Sequence, residues 1–356
     1  MTDGNSAEHL SVAMTTNSVS DVTDTTAVDA ETSSSRGIEF YFQCAVVVIG
    51  VVGTAANALI LYALVASKQQ KKQVLIFHQN ALDFLSSLLL IVTYALKLCN
   101  FHLTGSSGYW FCTLMLSENI VWIVMMSSKA NLVFITIERY LKGVYPIWSK
   151  KRLRKWIIQL AMVFAWISGF ANVVPLTYIT TDVIDGVCYA YVMWKSRASQ
   201  LAYGIWYFVS YYVIMLSVFI FCYWRILVAI RRQASVIAGH GGGSGLTAAQ
   251  TQIQSNVIKT MILVSAFFAV TELPMQVFYL LVNVHANLTL LDSGYYASMF
   301  ISFLFFCGNP FIYATKFDPV KQVLLRLIPW KKNSVQPIET VEFSAACRAV
   351  QTTGHH

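Results

Sequence analysis

The chain has 356 residues, and charged side chains make up only 12% of them, about half of the roughly 25% that is usual in soluble domains. Apolar residues reach 56%, more than so few charges can cover in water, which indicates a protein dissolved in a lipid bilayer. The composition excludes a disordered, collagen-like or nucleic-acid-binding chain, and seven cysteines are too few for a disulfide scaffold of this length.

Residues 1–38 are rich in Ser, Thr, Ala and acidic side chains and show no apolar periodicity. This composition predicts a flexible acidic tail. The tail lacks the basic start and apolar run of a cleavable signal peptide, so we expect a later segment to direct membrane insertion.

Seven long apolar runs follow between residues 39 and 316. About 20 apolar residues span the roughly 30 Å of hydrocarbon as a helix, whereas a barrel strand needs only about 9–11. The runs predict an all-α membrane protein, a bundle of seven transmembrane helices; they are Tyr41–Ala66, Gln73–Leu98, Trp110–Leu141, Arg154–Tyr178, Leu201–Ile230, Ser255–Asn283 and Gly294–Thr315.

Positive charge is concentrated in the odd-numbered connections and after the last run, for example at Lys71, Lys151, Arg231 and Lys321. The positive-inside rule therefore places residues 1–38 outside and the end of the chain in the cytoplasm, as in a multi-pass protein of the plasma membrane. The one N-glycosylation acceptor sequence begins at Asn287, in a connection that this topology also places outside.

A short amphipathic helix is predicted over residues 317–330, on the inner membrane surface. Asp318 and Pro319 form a helix-start pair, and apolar residues then recur at helical spacing. An unstructured segment with a chance periodicity is the alternative. Residues 331–356 are expected to form a cytoplasmic tail.

Four polar residues lie at comparable depth inside the runs: Asn57, Asp83, Ser128 and Asn309. Polar groups in hydrocarbon are costly, so they either form a functional cluster or join the helices by hydrogen bonds. A lone Asp83 carboxylate would prefer to hold a proton or a cation.

Further motifs lie at the inner end of the third run and within the sixth and seventh runs. Glu138 and Arg139 form an acid–base doublet next to Tyr140, and Pro274 and Pro310 interrupt helical hydrogen bonding and produce kinks. Kinks near helix ends are candidate moving parts.

Together these motifs resemble the rhodopsin-like family of G-protein-coupled receptors. The residues that carry the resemblance are Asn57, Asp83, Glu138-Arg139-Tyr140, Trp166, Tyr223, Phe268 with Pro274, and Asn309-Pro310-x-x-Tyr313. The resemblance implies an extracellular ligand pocket and an outward movement of the sixth helix that opens a cytoplasmic cavity for a heterotrimeric G protein.

Residue roles also follow from the resemblance. Arg139 would contact the G protein, Tyr223 and Tyr313 would move toward it, and Asp83 with Ser128 and Asn309 would resemble a sodium site, with Na⁺ as an allosteric ion and no other cofactor. Arrestin, a receptor kinase and membrane lipid are further expected partners; nucleic acid is not.

The resemblance also implies a disulfide between Cys112 and Cys188, which would hold the second extracellular loop over the pocket. Cys99 is a rival partner for Cys188. The interval from Cys112 to Arg139 is two residues longer than is usual in the family.

Two ionisable residues depart from the family pattern. Glu272 stands where the family usually has Trp, and Lys129 where it has an apolar residue. Because either charge alone would be costly in the membrane, we hypothesise an ion pair that holds the resting state. In the alternative, Glu272 is neutral and Lys129 reaches Asp83. Gln254 replaces the usual acidic partner of Arg139, which predicts a weak lock and ligand-independent signalling.

The ligand site is predicted near the outer ends of the third and sixth runs, at Glu118, Asn119, Trp122, Glu272 and Gln276. The long loop around Cys188 resembles the hairpin of peptide receptors, and nearby acidic residues favour a basic ligand. A peptide is therefore the first expectation, with a small amine or a lipid as alternatives. The run 295–315 has no lysine, which excludes a retinal Schiff base.

An ion-coupled transporter is a function of another class that would also use buried Asp83, Lys129 and Glu272. Such a protein usually has repeated halves, and none is visible. No metal-ligand, nucleophile or nucleotide-binding motif occurs, so we expect no enzymatic activity.

Overall fold

A computed structural model describes residues 24–99, 101–191, 194–239, 245–284 and 293–327. Within these residues, seven helical segments are long and apolar enough to cross a membrane, as predicted. We name them spans 1 to 7: Gly37–Ala66, Val74–Lys97, Gly105–Val144, Lys155–Thr180, Arg197–Arg232, Ile258–Val284 and Ser293–Lys316.

The secondary structure within the spans is almost entirely α-helical, with a π-helical turn in span 3 and another in span 5. The helices are Asp24–Ala66, Val74–Lys97, Gly105–Phe111, Asn119–Val144, Pro146–Arg152, Lys155–Thr180, Arg197–Phe208, Ile214–Gly239, Gly245–Val284, Ser293–Lys316 and Asp318–Leu327, and the π-helical turns are Cys112–Leu116 and Val209–Val213.

The first helix begins at Asp24, inside the segment 1–38 that the sequence assigned to a flexible tail. The helical hydrogen bonding of span 1 thus continues outward into the polar sequence. Residues 1–23 lie outside the described part of the chain.

Span 3 is the most buried of the seven and packs against spans 2, 4 and 5. Spans 1 and 2, 6 and 7, and 7 and 1 form the other large contacts. Aromatic side chains fill the core between spans 5, 6 and 7, where Phe268 lies edge-on to Phe219 and Phe305. Span 3 is therefore the central element on which the polar sites are built.

Span 4 approaches span 3 closely at Gly169. A Cβ atom at this position would lie 2.4 Å from the carbonyl oxygen of Ile123 and 2.4 Å from Oγ of Ser127. Only a residue without a side chain fits, so Gly169 sets the distance between the two helices.

Strands β1 (Asp182–Ile184) and β2 (Val187–Tyr189) form an antiparallel hairpin after span 4. Asp185 and Gly186 make the turn with φ values of 50° and 78°, the conformation that Asp-Gly favours in two-residue hairpins. The carbonyl of Gly186 accepts a hydrogen bond of 3.0 Å from the amide of Leu103. The hairpin tip is thus attached to the connection between spans 2 and 3.

The amphipathic helix after span 7 runs over Asp318–Leu327, within the predicted 317–330. Phe317 and Val320 are buried against the bundle, while Lys321 is exposed. Residues 328–356 and the glycosylation candidate Asn287 lie outside the described residues.

Candidate functional site

The bundle has two ends of different character. The hairpin end carries β1, β2 and the connection after span 2, and the opposite end, here the Arg139 end, carries Glu138, Arg139 and the surface helix. Polar clusters lie at each end and between them along span 3.

An outer cavity of about 680 Å³ opens at the hairpin end. Spans 1, 2, 3 and 7 form its walls, and β2 contributes Cys188. Its charged lining residues are Glu39, Lys97 and Glu118, so the described lining has one more negative charge than positive. The predicted ligand residue Glu118 therefore does face a cavity.

Glu118 is held in an unusual backbone conformation by a break in span 3. The π-helical turn Cys112–Leu116 ends at Ser117, and Glu118 has a φ of 60° in the left-handed region before the helix resumes at Asn119. This break lies within the long interval between Cys112 and Arg139. Because the left-handed region is unfavourable for a non-glycine residue, the surrounding contacts must hold it.

Two side chains of span 2 hold the Glu118 carboxylate. Its Oε1 atom accepts hydrogen bonds from the Tyr94 hydroxyl at 2.8 Å and from Lys97 Nζ at 2.5 Å. Glu118 is 5% exposed. The carboxylate is therefore a fixed negative charge at the wall of the outer cavity.

The hairpin lies beside the outer cavity because a disulfide joins Cys112 of span 3 to Cys188 of β2. The predicted pairing is confirmed, and the rival Cys99 is a free, exposed cysteine. After β2 the chain turns inward at Tyr191, which lines both the outer cavity and a deeper pocket. Burial raises the pKa of the Tyr191 phenol, so it remains a neutral group.

The deeper pocket, here the tyrosine pocket, lies between spans 3, 4, 5, 6 and 7. Its free volume is about 50 Å³, and its lining includes Trp122, Met126, Tyr191, Tyr207, Tyr279 and Tyr295. Trp122 was a predicted ligand residue. Tyr191 and Tyr295 line both cavities, so they separate the charged outer cavity from a pocket that is lined by aromatic and aliphatic side chains.

Three predicted ligand residues, Asn119, Glu272 and Gln276, do not line either cavity. Asn119 instead lines a groove on the outside of the bundle, between spans 2, 3 and 4, because the helix turns by about 100° from one residue to the next after the break at Glu118. Gln276 is 1% exposed and neither amide atom has a hydrogen-bond partner among the described residues. The roles of Asn119 and Gln276 in ligand binding therefore stay predictions that neither cavity supports.

Lys129 and Glu272 form an ion pair in the centre of the bundle. Nζ of Lys129 lies 2.6 Å from Oε2 of Glu272, and the exposed fractions of the two side chains are 1% and 0%. The second carboxylate oxygen, Oε1, accepts a hydrogen bond of 2.7 Å from Ser302. Spans 3, 6 and 7 are therefore joined here, and the structure places Lys129 on Glu272 instead of Asp83.

The ion pair lies directly beneath the tyrosine pocket. Nζ of Lys129 is 6.0 Å from the ring centre of Trp122 and 5.9 Å from that of Phe306, within range of a cation–π interaction. Trp122 thus contacts the pocket on one side and the buried charge on the other.

Asp83 is the centre of a second buried cluster, nearer the Arg139 end. Its Oδ1 accepts hydrogen bonds from Ser128 at 2.6 Å and Gln79 at 3.1 Å, and its Oδ2 accepts one from Asn309 at 3.0 Å. Asn57 does not join this cluster directly, since its amide donates to the carbonyls of Gly53 and Phe306.

As a sodium site this cluster fits poorly. A hard cation takes oxygen ligands, but amide N–H groups of Gln79 and Asn309 point at the Asp83 carboxylate. Gln79 was missed in the sequence, where an uncharged residue close to the start of an apolar run carries no signal.

At the Arg139 end, Glu138 contacts two cations. Its carboxylate lies 3.3 Å from Arg139 and 2.6 Å from Lys142. Arg139 also donates a hydrogen bond to Oε1 of Gln73, which immediately precedes span 2. The side chain of Gln254 lies outside the described part. Sequence inspection also missed Gln73, because a glutamine in a polar connection is unremarkable.

Two tyrosines near Arg139 differ in their bonding. The Tyr223 hydroxyl lies 3.1 Å from Thr136 of span 3 and 3.0 Å from Ser265 of span 6. The Tyr313 hydroxyl is buried and has no hydrogen-bond partner among the described residues. Tyr140 packs edge-on against Tyr145. Span 6 is thus joined to span 3 through Tyr223.

Comparison with known proteins agrees with this architecture. The model of the "7 transmembrane receptor (rhodopsin family)" matches residues 56–313. The chain is similar to the substance-P receptor of Cavia porcellus, at 22% identity over 75% of this chain and 65% of that receptor. It is also similar to melanopsin-B of Gadus morhua, at 24% identity over 85% of this chain and 50% of that protein. Similarity to the neuropeptide Y receptor type 4 of Mus musculus is 25% identity over 74% of this chain and 72% of that receptor.

Proposed function

Since the chain belongs to the rhodopsin family of seven-transmembrane receptors, which are receptors and not enzymes, we propose that it binds an extracellular peptide and activates a heterotrimeric G protein. The alignment covers 65% of the length of that substance-P receptor. The activity of this chain is therefore our proposal, and it is not taken over from the relative. The observation that carries the proposal is the ion pair between spans 3 and 6 beneath a pocket.

The proposed topology places the hairpin end outside the cell. The connections at the Arg139 end carry the positive charge, including Lys71, Lys151 and Arg152, as the positive-inside rule requires of the cytoplasmic side. The disulfide lies at the hairpin end, and disulfides persist in the oxidising extracellular environment. The plasma membrane is the location at which such a receptor meets both ligand and G protein.

The two cavities suit a peptide with a basic group and an aromatic or aliphatic side chain. Glu39 and Glu118 outnumber Lys97 in the outer cavity, so a ligand ammonium or guanidinium group gains charge-assisted hydrogen bonds there. The tyrosine pocket offers an apolar surface below. Two of the relatives named above are, by their names, receptors for substance P and neuropeptide Y, which favours a peptide over a small amine or a lipid.

The coupling step follows from the position of the ion pair. A ligand side chain that displaces Trp122 also changes the environment of Lys129, which lies 6.0 Å from its ring centre. A weaker Lys129–Glu272 contact frees span 6 from span 3. Nearer Arg139, span 6 still contacts span 5 through the bonds from Tyr212 to the Ala269 carbonyl and between Tyr223 and Ser265. Ligand binding and exposure of Arg139 to the G protein are thereby linked. Arrestin and a receptor kinase would act on the same activated state.

The test is a screen of basic peptides, amines and lipids against cells that express the chain with a promiscuous G-protein reporter. We expect a basic peptide to activate the reporter and E118Q to raise the concentration needed by about ten-fold, the effect of losing one charged contact of about 1.4 kcal/mol. D185N, at the exposed turn of the hairpin, makes the same carboxylate-to-amide change at a residue that lines neither cavity and is the matched control.

An ion-coupled transporter would use the same buried charges but would move solute. Agonist-dependent reporter activity without flux of labelled ligand or of protons supports the receptor. Saturable uptake with no reporter response would contradict it.

A further inference from the structure

Gln79 reaches the Asp83 carboxylate from one turn earlier on span 2. Its Nε2 atom lies 3.1 Å from Asp83 Oδ1 and 2.5 Å from Ser128 Oγ. All three side chains are fully buried. The amide therefore bridges the two residues that would supply the main ligands of a cation.

Neighbouring groups determine which way this amide points. Nδ2 of Asn131 donates to the carbonyl of Leu75 at 3.1 Å, which identifies the donor side of Asn131. The same Nδ2 donates to Oε1 of Gln79 at 2.9 Å, so Oε1 faces Asn131 and Nε2 faces Asp83. In the reversed orientation, the amide hydrogens of Gln79 and Asn131 would face each other, and the Gln79 oxygen would face the carboxylate.

His78 completes the network. Its Nδ1 lies 3.0 Å from Oδ1 of Asn131, so both ends of the Asn131 amide have partners. Reversing Gln79 would require Asn131 to give up the bond to the Leu75 carbonyl, which is buried inside the bundle. Leaving such a carbonyl unpaired is costly.

We infer that the Gln79 amide takes the place of a cation at Asp83, so that this buried cluster does not respond to sodium. The hydroxyl of Ser128 accepts from Gln79 and donates to Asp83, which leaves it poorly available as an ion ligand. On the other side of the carboxylate, Asn309 presents Nδ2 to Asp83, and its Oδ1 has no partner among the described residues. The amide hydrogens of Gln79 and Asn309, which carry partial positive charge, thus face both oxygens of the Asp83 carboxylate, where a cation would bind.

The experiment measures the midpoint of thermal unfolding of the purified, full-length chain in lipid nanodiscs. Sodium chloride is compared with choline chloride at equal concentration, so that ionic strength is constant. We expect no difference for the wild type. Q79L removes the amide, and Q79E replaces it with a carboxylate of nearly the same shape; we expect sodium to raise the midpoint of each by about 3 °C.

Two controls identify the site. Adding D83N to Q79L or Q79E should abolish the gain, and Q276L, which removes another fully buried glutamine, should not produce one. Sodium stabilisation of the wild type that D83N removes would overturn the inference. So would the absence of a sodium effect in both Q79L and Q79E. The measurement needs neither ligand nor G protein, so its outcome is independent of the proposed function.

Discussion

The buried charges of Lys129 and Glu272 contact each other, and Glu272 also accepts a hydrogen bond from Ser302. Removing two charges from water costs several kcal/mol per ion, and their mutual attraction offsets this cost only with good geometry and further hydrogen bonds. The pair has both, through the 2.6 Å contact and the bond from Ser302. A pair of this kind contributes little net stability but makes the loss of either partner expensive, which suits a contact that selects one arrangement of spans 3 and 6.

Charge reversal tests this pair. K129E places two carboxylates together and E272K two ammonium groups; we expect each to lower the free energy of unfolding by about 3–5 kcal/mol and to abolish ligand-dependent reporter activity. The double variant K129E/E272K should recover most of both. Thermal unfolding and the G-protein reporter provide the measurements, and a double variant no better than the single ones would remove the pairing hypothesis.

Gln73 provides a second residue-level test. Its side-chain oxygen accepts a hydrogen bond from Arg139, and such a bond to a charged group contributes about 1.5 kcal/mol. We expect Q73A to release Arg139 and to raise ligand-independent reporter output by about ten-fold. Q70A changes a nearby glutamine whose side-chain oxygen has no partner among the described residues; equal output from the two variants would contradict the role of Gln73.

The ion pair between Lys129 and Glu272 could be predicted from the sequence, because charged residues are so rare inside apolar runs that each one stands out. The sequence did not predict Gln73 or Gln79, since neutral polar residues near helix ends are common in solvent-exposed positions as well. The sequence also placed Asn119 beside Glu118 at the ligand site, whereas the structure places it in a different groove. The direction of a side chain depends on the rotation of its helix, and the break at Glu118 changes that rotation.

Among the elements, span 3 is positioned by its contact with span 4 at Gly169. A Cβ there would overlap the carbonyl of Ile123 and the hydroxyl of Ser127, so we expect G169A to lower the free energy of unfolding by about 1–3 kcal/mol through forced separation of the helices. G37A is the control, since a Cβ at Gly37 meets no atom within 4 Å. Thermal unfolding of both variants checks this, and equal stability would contradict the close approach.

The hairpin depends on the link between Cys112 and Cys188, which closes a loop with a sequence separation of 76. Removing such a link typically costs about 2–4 kcal/mol, so C112S/C188S should unfold at lower temperature and lose peptide activation. C99S should behave as the wild type, because Cys99 is free. The reverse ranking of the two variants would mean that Cys99 is the partner of Cys188.

At the scale of the whole molecule, the bundle was predictable because a lipid bilayer permits few structures to cross it and fixes the length of each crossing helix. Long apolar runs must be helices, and their number and approximate bounds follow from the distribution of apolar residues along the sequence. The sequence did not predict the turn where span 3 breaks, because no glycine or proline lies between Cys112 and Glu118 to signal it. The residues at that break, Leu116, Ser117 and Glu118, line the outer cavity.

The molecule as a whole is proposed to couple the outer cavity to the Arg139 end through the charges along span 3. Reconstituted nucleotide exchange tests this most directly: the wild-type chain in nanodiscs, a purified heterotrimeric G protein and a basic peptide from the screen. We predict that the peptide accelerates exchange by about ten-fold, equivalent to about 1.4 kcal/mol of population shift, and that R139A returns the rate to that of empty nanodiscs. A peptide that binds the chain but leaves exchange at the rate of empty nanodiscs would contradict the account.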